Sequence, residues 1–384
     1  MRGRGRRRTA PAPDVSPLEP AMVALRAGDL VEAERRAGVI LADARGRGDV
    51  VEICRAAQFL ANLLRLTHRP GAAVEHADLA LAQPVIGGLR NTALVARARV
   101  TGDLGDWDRL RALLQELWAN VADEDPARNE LDVPNRATGL RLQAHLRLRD
   151  GDLAGARIDI DHAVRLFPAG VDVVVSRAVV LALQGEVDES EATLHRWMGE
   201  AERVWPERLA VLSALARLRI VRDDLDGAAA AIAAYEAEIA ADGRDPRSDN
   251  ILLVTQASFR TESGDRGPGT AALVETVLAR HDAHPIMRAA AQLLRAEIRL
   301  AAGDVHGAGA DVRAAMPSVE RAGDPVGLGD ALTLRARTAA VQGRVPAARA
   351  DLDRAVATLG QAHVPVVARH IAEVRAMLDG AMDG

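Results

Sequence analysis

GLRLQAHLRLRDGDLAGARIDIDHAVRLFP, residues 139–168, decides the fold. Apolar and small residues recur every three or four positions on both sides of the Gly151–Asp152 step, the pattern of two amphipathic helices joined by a tight turn. Pro168 closes the stretch. A lone hairpin of this kind cannot cover its own apolar face, so the reading requires neighbours built the same way.

The neighbours are present. Comparable turns stand at Gly28 (AGDLVEA), Gly102 (TGDLGDW), Gly185 (QGEVDES), Asp223 (RDDLDGA), Gly264 (SGDRGPG), Gly303 (AGDVHGA) and Gly343 (QGRVPAA), with a degenerate copy, THRPGAA, at His68. With Gly151 included, successive anchors lie 40, 34, 49, 34, 38, 41, 39 and 40 residues apart, the span of a helix pair with its connections. Residues not used to find this register obey it. Seven positions before the anchor stand Ala21, Ala61, Val95, Ala144, Ala178, Ala216, Ala257, Ala296 and Ala336. Five positions after it stand Ala33, Ala73, Trp107, Ala156, Ser190, Ala228, Gly269, Ala308 and Ala348. Small residues in both columns let two antiparallel helices approach closely.

This pattern resembles the tetratricopeptide repeat, with Ala144, Gly151, Leu153, Ala156, Ile160, Ala163 and Pro168 in family places. The family's early Trp and its Tyr on the first helix are missing. Segments such as AEIRLAAGD and ARLRIVRDD look more like the looser repeats of large bacterial transcription regulators of the maltose-activator kind, here with no nucleotide-binding or helix-turn-helix motif beside them. The resemblance covers roughly residues 20 to 380. It implies an all-α, right-handed solenoid of about nine helix pairs, with VPVVARHIAEVRAML as a C-terminal capping helix. Residues 1–18, rich in Arg and Pro, are expected to form a disordered tail before a solenoid spanning 19–384. Residues 119–136 and 321–330 read as loops between units.

The chain has 384 residues and a net charge of −5, which offers no global attraction for nucleic acid or anionic membrane. It contains no lysine, the mark of a GC-rich, actinobacterium-like host, so no P-loop or Schiff-base lysine is possible. Cys54 is the only cysteine, which removes internal disulfides and thiolate zinc sites; a buried, inert thiol is expected. No apolar run approaches a membrane span, and no apolar leader follows the first arginines, so the expectation is a cytoplasmic protein.

A search for chemistry finds no catalytic residue, cofactor motif or metal site. His281 and His284 are three apart, but Pro285 places them at a helix end with only Asp282 nearby. His363 and His370 read as surface or capping residues. Asp after the anchor at Asp29, Asp103, Asp152, Asp224, Asp265 and Asp304 reads as an N-cap. Arg147, Arg219, Arg260 and Arg299, four residues before the anchor, read as clips reaching that Asp.

By the resemblance, first helices line a concave groove. Its groove positions fall on Arg55, Gln58, Asn62 and Arg65 in the second unit, Arg99 in the third, and Arg141 and His145 in the fourth. That set is similar to the family's carboxylate-clamp grooves, and implies a protein or peptide partner with an acidic segment or C-terminal carboxylate. Later units turn apolar or mixed, as at Val175, Val179, Arg217, Leu293 and Leu300. The function expected is a non-catalytic binding scaffold or regulatory subunit. Its rivals are an enzyme using the groove as a cleft and a regulator-associated nucleic-acid binder, for which Arg2, Arg4, Arg6, Arg7 and Arg8 could touch phosphate.

Overall fold

The structure, a computed structural model, describes residues 16–67, 69–122, 132–199, 205–241, 243–280 and 284–380. The arginines of the N-terminal tail, His281 and Asp282 lie outside these residues. Within them are nineteen α-helices and no strand. Units one to three pair α1 (Glu19–Arg26) with α2 (Leu30–Arg47), α3 (Val50–Leu66) with α4 (Pro70–Leu81), and α5 (Gly87–Leu104) with α6 (Trp107–Ala122). Units four to six pair α7 (Val133–Arg149) with α8 (Leu153–Leu166), α9 (Val171–Leu183) with α10 (Val187–Gly199), and α11 (Trp205–Val221) with α12 (Leu225–Ala241). Units seven to nine pair α13 (Asn250–Glu262) with α14 (Pro268–Leu278), α15 (Pro285–Ala301) with α16 (Val305–Ala322), and α17 (Pro325–Val341) with α18 (Val345–Leu359). A single helix, α19 (Pro365–Gly380), follows. From α3 to α19 each first helix packs on the first helix of the next unit, so these form the inner layer.

The turns are built as their residues dictate. Gly28, Gly151, Gly185, Asp223, Gly264, Gly303 and Gly343 all have positive φ, between 68° and 85°. Asp29, Asp152, Asp224 and Asp304 each accept a backbone N–H three residues on, at 2.8–3.0 Å. All nine residues of the first small column are buried. In the second, Gly269 is exposed and the fully buried Thr270 takes its place, because the turn before α14 is longer.

Unit three corrects the register. TGDLGDW holds two Gly-Asp steps, and the chain turns at the second: Gly105 has φ +69° and Asp106 accepts the Arg109 N–H at 3.2 Å. Helix α5 therefore runs one turn further, and Asp103 lies within it instead of capping α6. The expected loops are also shorter: α6 continues to Ala122, and α16 and α17 are separated only by Gly323 and Asp324.

The arginine clip is present but aimed higher. Arg147, Arg219 and Arg299 stand 3.4, 3.9 and 3.7 Å from the capping carboxylates of Asp152, Asp224 and Asp304. Shorter contacts reach elsewhere: Arg147 to Asp159 at 2.9 Å, Arg299 to Asp311 at 2.8 Å, and Arg219 to Glu191 of the preceding unit at 3.1 Å. A carboxylate two turns inside the second helix is a fixed target, whereas the cap is already engaged by backbone N–H groups.

A simple solenoid would touch only its neighbours. Here the chain meets itself again five units on. Trp107, at the start of α6, donates its indole N–H to the Arg321 carbonyl at the end of α16, 3.1 Å away. The His363 N–H, just before α19, donates to the Leu183 carbonyl at the end of α9, 2.7 Å away. Leu183 belongs to the apolar cluster of units eight to ten, and Leu148, Leu153 and Val221 pack against it. Unit three thus carries unit eight, and unit five carries α19. The open trough of the neighbour-only pattern is bridged by contacts between successive turns of the array.

Candidate functional site

On the inner layer, α3, α5 and α7 contribute Arg65, Arg99 and Arg141. With unit three anchored on Gly105, Asn62, Arg99 and His145 occupy one column, six residues before the turn. Two carboxylates answer three guanidiniums. Arg65 meets Asp103 at 3.4 Å and Arg99 meets Asp172, in the first turn of α9, at 3.2 Å. Arg141 makes no hydrogen bond or ion pair to a described residue, and its Nε is buried without a partner. The Nε atoms of Arg65 and Arg99 and the Oδ1 of Asn62 are buried and unpartnered as well.

Their electrostatics agree. Burial, reinforced by Arg141 and Arg65, pushes the Arg99 guanidinium down to about 10 against the pull of Asp172 and Asp103. Burial and Arg65 likewise lower Arg141, against the pull of Asp172 and Asp103. Burial, then the charge of Arg141, lowers His145. Asp172 is held below its ordinary value, since Arg141, Arg99 and Arg65 together outweigh its burial. Arg65 and Arg99 keep 20% and 23% of their side chains accessible, so solvent reaches a cluster otherwise ringed by protein. Such a set holds surplus positive charge and unused N–H donors, and an oxyanion supplies what both lack.

The other groove candidates fall elsewhere. Gln58 is buried and donates to the Leu89 carbonyl and the Cys54 Sγ, at 3.1 and 3.2 Å, locking α3 to the following unit. Arg55 is exposed, ten residues before Arg65 on the same helix and so about 15 Å away along its axis. Val179 and Arg217 are also exposed. Cys54 is fully buried, and its thiol is pushed up to about 11 by burial, which makes it inert.

A second polar centre forms where α19 returns onto α11 and α13. Arg369 binds Glu262 at 2.9 Å and Asp223 at 3.3 Å, while His370 lies 3.4 Å from Glu262 and 3.2 Å from Asp330. Glu297 beside them faces Arg266 and Arg337 at 3.5 and 3.6 Å. Burial opposes charge on His370, but its hydrogen bonds to Asp330 and Glu262 push it up to about 10. His370 is therefore a charged strut, not the surface residue its sequence suggests. This centre pairs its own charges and works as a clasp. Among the described residues no group of three His, Cys, Asp or Glu is gathered to hold a metal, and no helix is long and apolar enough to cross a membrane.

No family model matches the chain, and no curated protein matches it. Solved structures do. The Cut9–Hcn1 hetero-tetramer of the APC/C aligns with a TM-score of 0.58 at 11% identity, over 89% of this chain and 59% of that one. The human IFIT1 dimer with PPP-AAAA aligns with a TM-score of 0.53 at 15% identity, over 93% and 79%. The fold is that of the tetratricopeptide-repeat helical solenoids.

Proposed function

We propose that the protein is a non-catalytic cytoplasmic scaffold or regulatory subunit that receives a partner protein in its groove. The partner's acidic segment or C-terminal carboxylate seats on Arg65, Arg99 and Arg141, with Asn62 as a further hydrogen-bonding group. The observation that carries this reading is that Arg141 makes no direct ion pair and leaves its Nε buried and unpartnered, while burial outweighs the pull of Asp172 and Asp103 on its charge. A bound carboxylate in direct contact offsets that desolvation. Arg55 and Gln58 have no part in it.

Cross-linking and mass spectrometry on partners captured by wild type and by the Arg99→Glu, Arg141→Glu double variant test the reading. Reversal of two charges is expected to abolish capture of at least one acidic-ended partner while helicity is kept. Identical partners held at identical affinity would refute it. A phosphorylated oligonucleotide end is the second reading, because human IFIT1, of the same fold, is seen with PPP-AAAA, and guanidinium groups suit phosphate equally. A 5′-triphosphate oligonucleotide titrated beside an acidic peptide separates the two. Only the former should show the salt slope of released counterions along a phosphate chain.

A further inference from the structure

The arginine cluster and the seam between turns meet at one residue. His145 lies four residues after Arg141 on α7, so both side chains project from the same face. Its ring lies against that of Trp107, centroids 5.5 Å apart, and it makes no hydrogen bond to a described residue. Trp107 is the residue that ties α6 to Arg321 across the seam, and Arg149 lies over its ring at 5.3 Å. The charged groups facing His145 are Arg141 on its own helix, Asp103 from α5, and Asp324 at the head of α17. Asp324 accepts the N–H groups of Val326 and Gly327, so its carboxylate is held at the seam.

We infer that capture of an oxyanion by the arginine cluster takes up one proton on His145, coupling occupancy of the cluster to pH and to the seam. The inference rests on reading the cluster as an anion site. In the free protein burial and then Arg141 disfavour a charged imidazole, while Asp324 and Asp103 favour it. An anion beside Arg141 cancels its repulsion and leaves the two carboxylates opposed by burial alone. The proton comes from solvent and adds to the free ring nitrogen of the neutral imidazole; no covalent bond breaks. By linkage the anion then binds more tightly as pH falls, and the imidazolium, attracted to Asp324, strengthens the contact between units four and nine.

Sulfate is the probe, since it keeps its double charge across the range titrated and any proton taken up is the protein's. The ring-carbon resonance of His145, assigned from its loss in His145→Gln, is followed from about pH 5 to about pH 8 with and without sulfate, and binding is read separately from arginine Nε–H resonances. The expected result is a midpoint raised by about one pH unit, equivalent to sulfate binding about tenfold tighter at the acid end. Arg141→Gln should remove the shift. Sulfate bound through Arg141 with an unchanged His145 midpoint would overturn the proton linkage and leave the anion site standing. Sulfate that moves no arginine resonance would overturn both.

Discussion

Arg141 is where the account is most exposed to test at the scale of a single residue. Its guanidinium makes no direct ion pair, its Nε is buried without a partner, and burial outweighs the pull of the more distant Asp172 and Asp103. Arg141→Met is therefore expected to raise stability by about 1 kcal/mol while eliminating anion capture, a pairing checked by thermal unfolding and a binding titration on the same preparation. A loss of stability would mean that the cluster is a structural strut. Arg65, Arg99 and Arg141 were all legible in the sequence, because the resemblance places them at groove positions. Gln58 shared the spacing, yet helical periodicity only says which residues lie on one face. It does not say whether that face meets a groove or the next unit. Asp103 and Asp172 were illegible for a related reason: one follows a glycine and the other opens a helix, and capping accounts for Asp in both settings.

The elements add the seam and the clasp. At Gly323, with φ +67°, a β-carbon would lie 2.8 Å from both Arg149 and the Trp107 ring; at Gly105, with φ +69°, it would lie 2.2 Å from Arg321. Gly323→Ala combines strain with collision and is expected to cost about 1–3 kcal/mol, read by chemical denaturation. The same change at Gly151, which has open space around it, carries only the strain and should cost less. Across the molecule, His370 sets a pH dependence of known sign. Its folded pKa is raised above 6.5 to about 10, so the stabilisation is full below pH 6.5 and declines as pH rises through 10. His370→Gln should flatten the melting temperature over that window; a mutant curve parallel to wild type would remove the histidine from the clasp. The helix pairs themselves were written plainly in the sequence, since turn glycines and small columns repeat in most units. The register failed only where the local signal was doubled, as in TGDLGDW, or lengthened, as before α14. In the first case tertiary contact chose between two equal turns, because ending α5 at the second one brings Trp107 to the seam.

Over the whole molecule the decisive feature is one that no repeat pattern encodes. Contacts between units four or five apart join Trp107 to Arg321, Leu183 to His363, and Arg369 to Asp223, pairs far apart in sequence and unlike each other in chemistry. They arise from the accumulated rotation of many unit interfaces, each too small a term to read from side chains. Yet they tie successive turns of the array together and so close the superhelix on itself. Small-angle X-ray scattering of the full chain tests this closure most directly. A compact domain of this length has a radius of gyration of about 21 Å, and the closed superhelix is expected only slightly above it, at roughly 22–26 Å. A value above roughly 30 Å, with the profile of an extended open spiral, would contradict the closure.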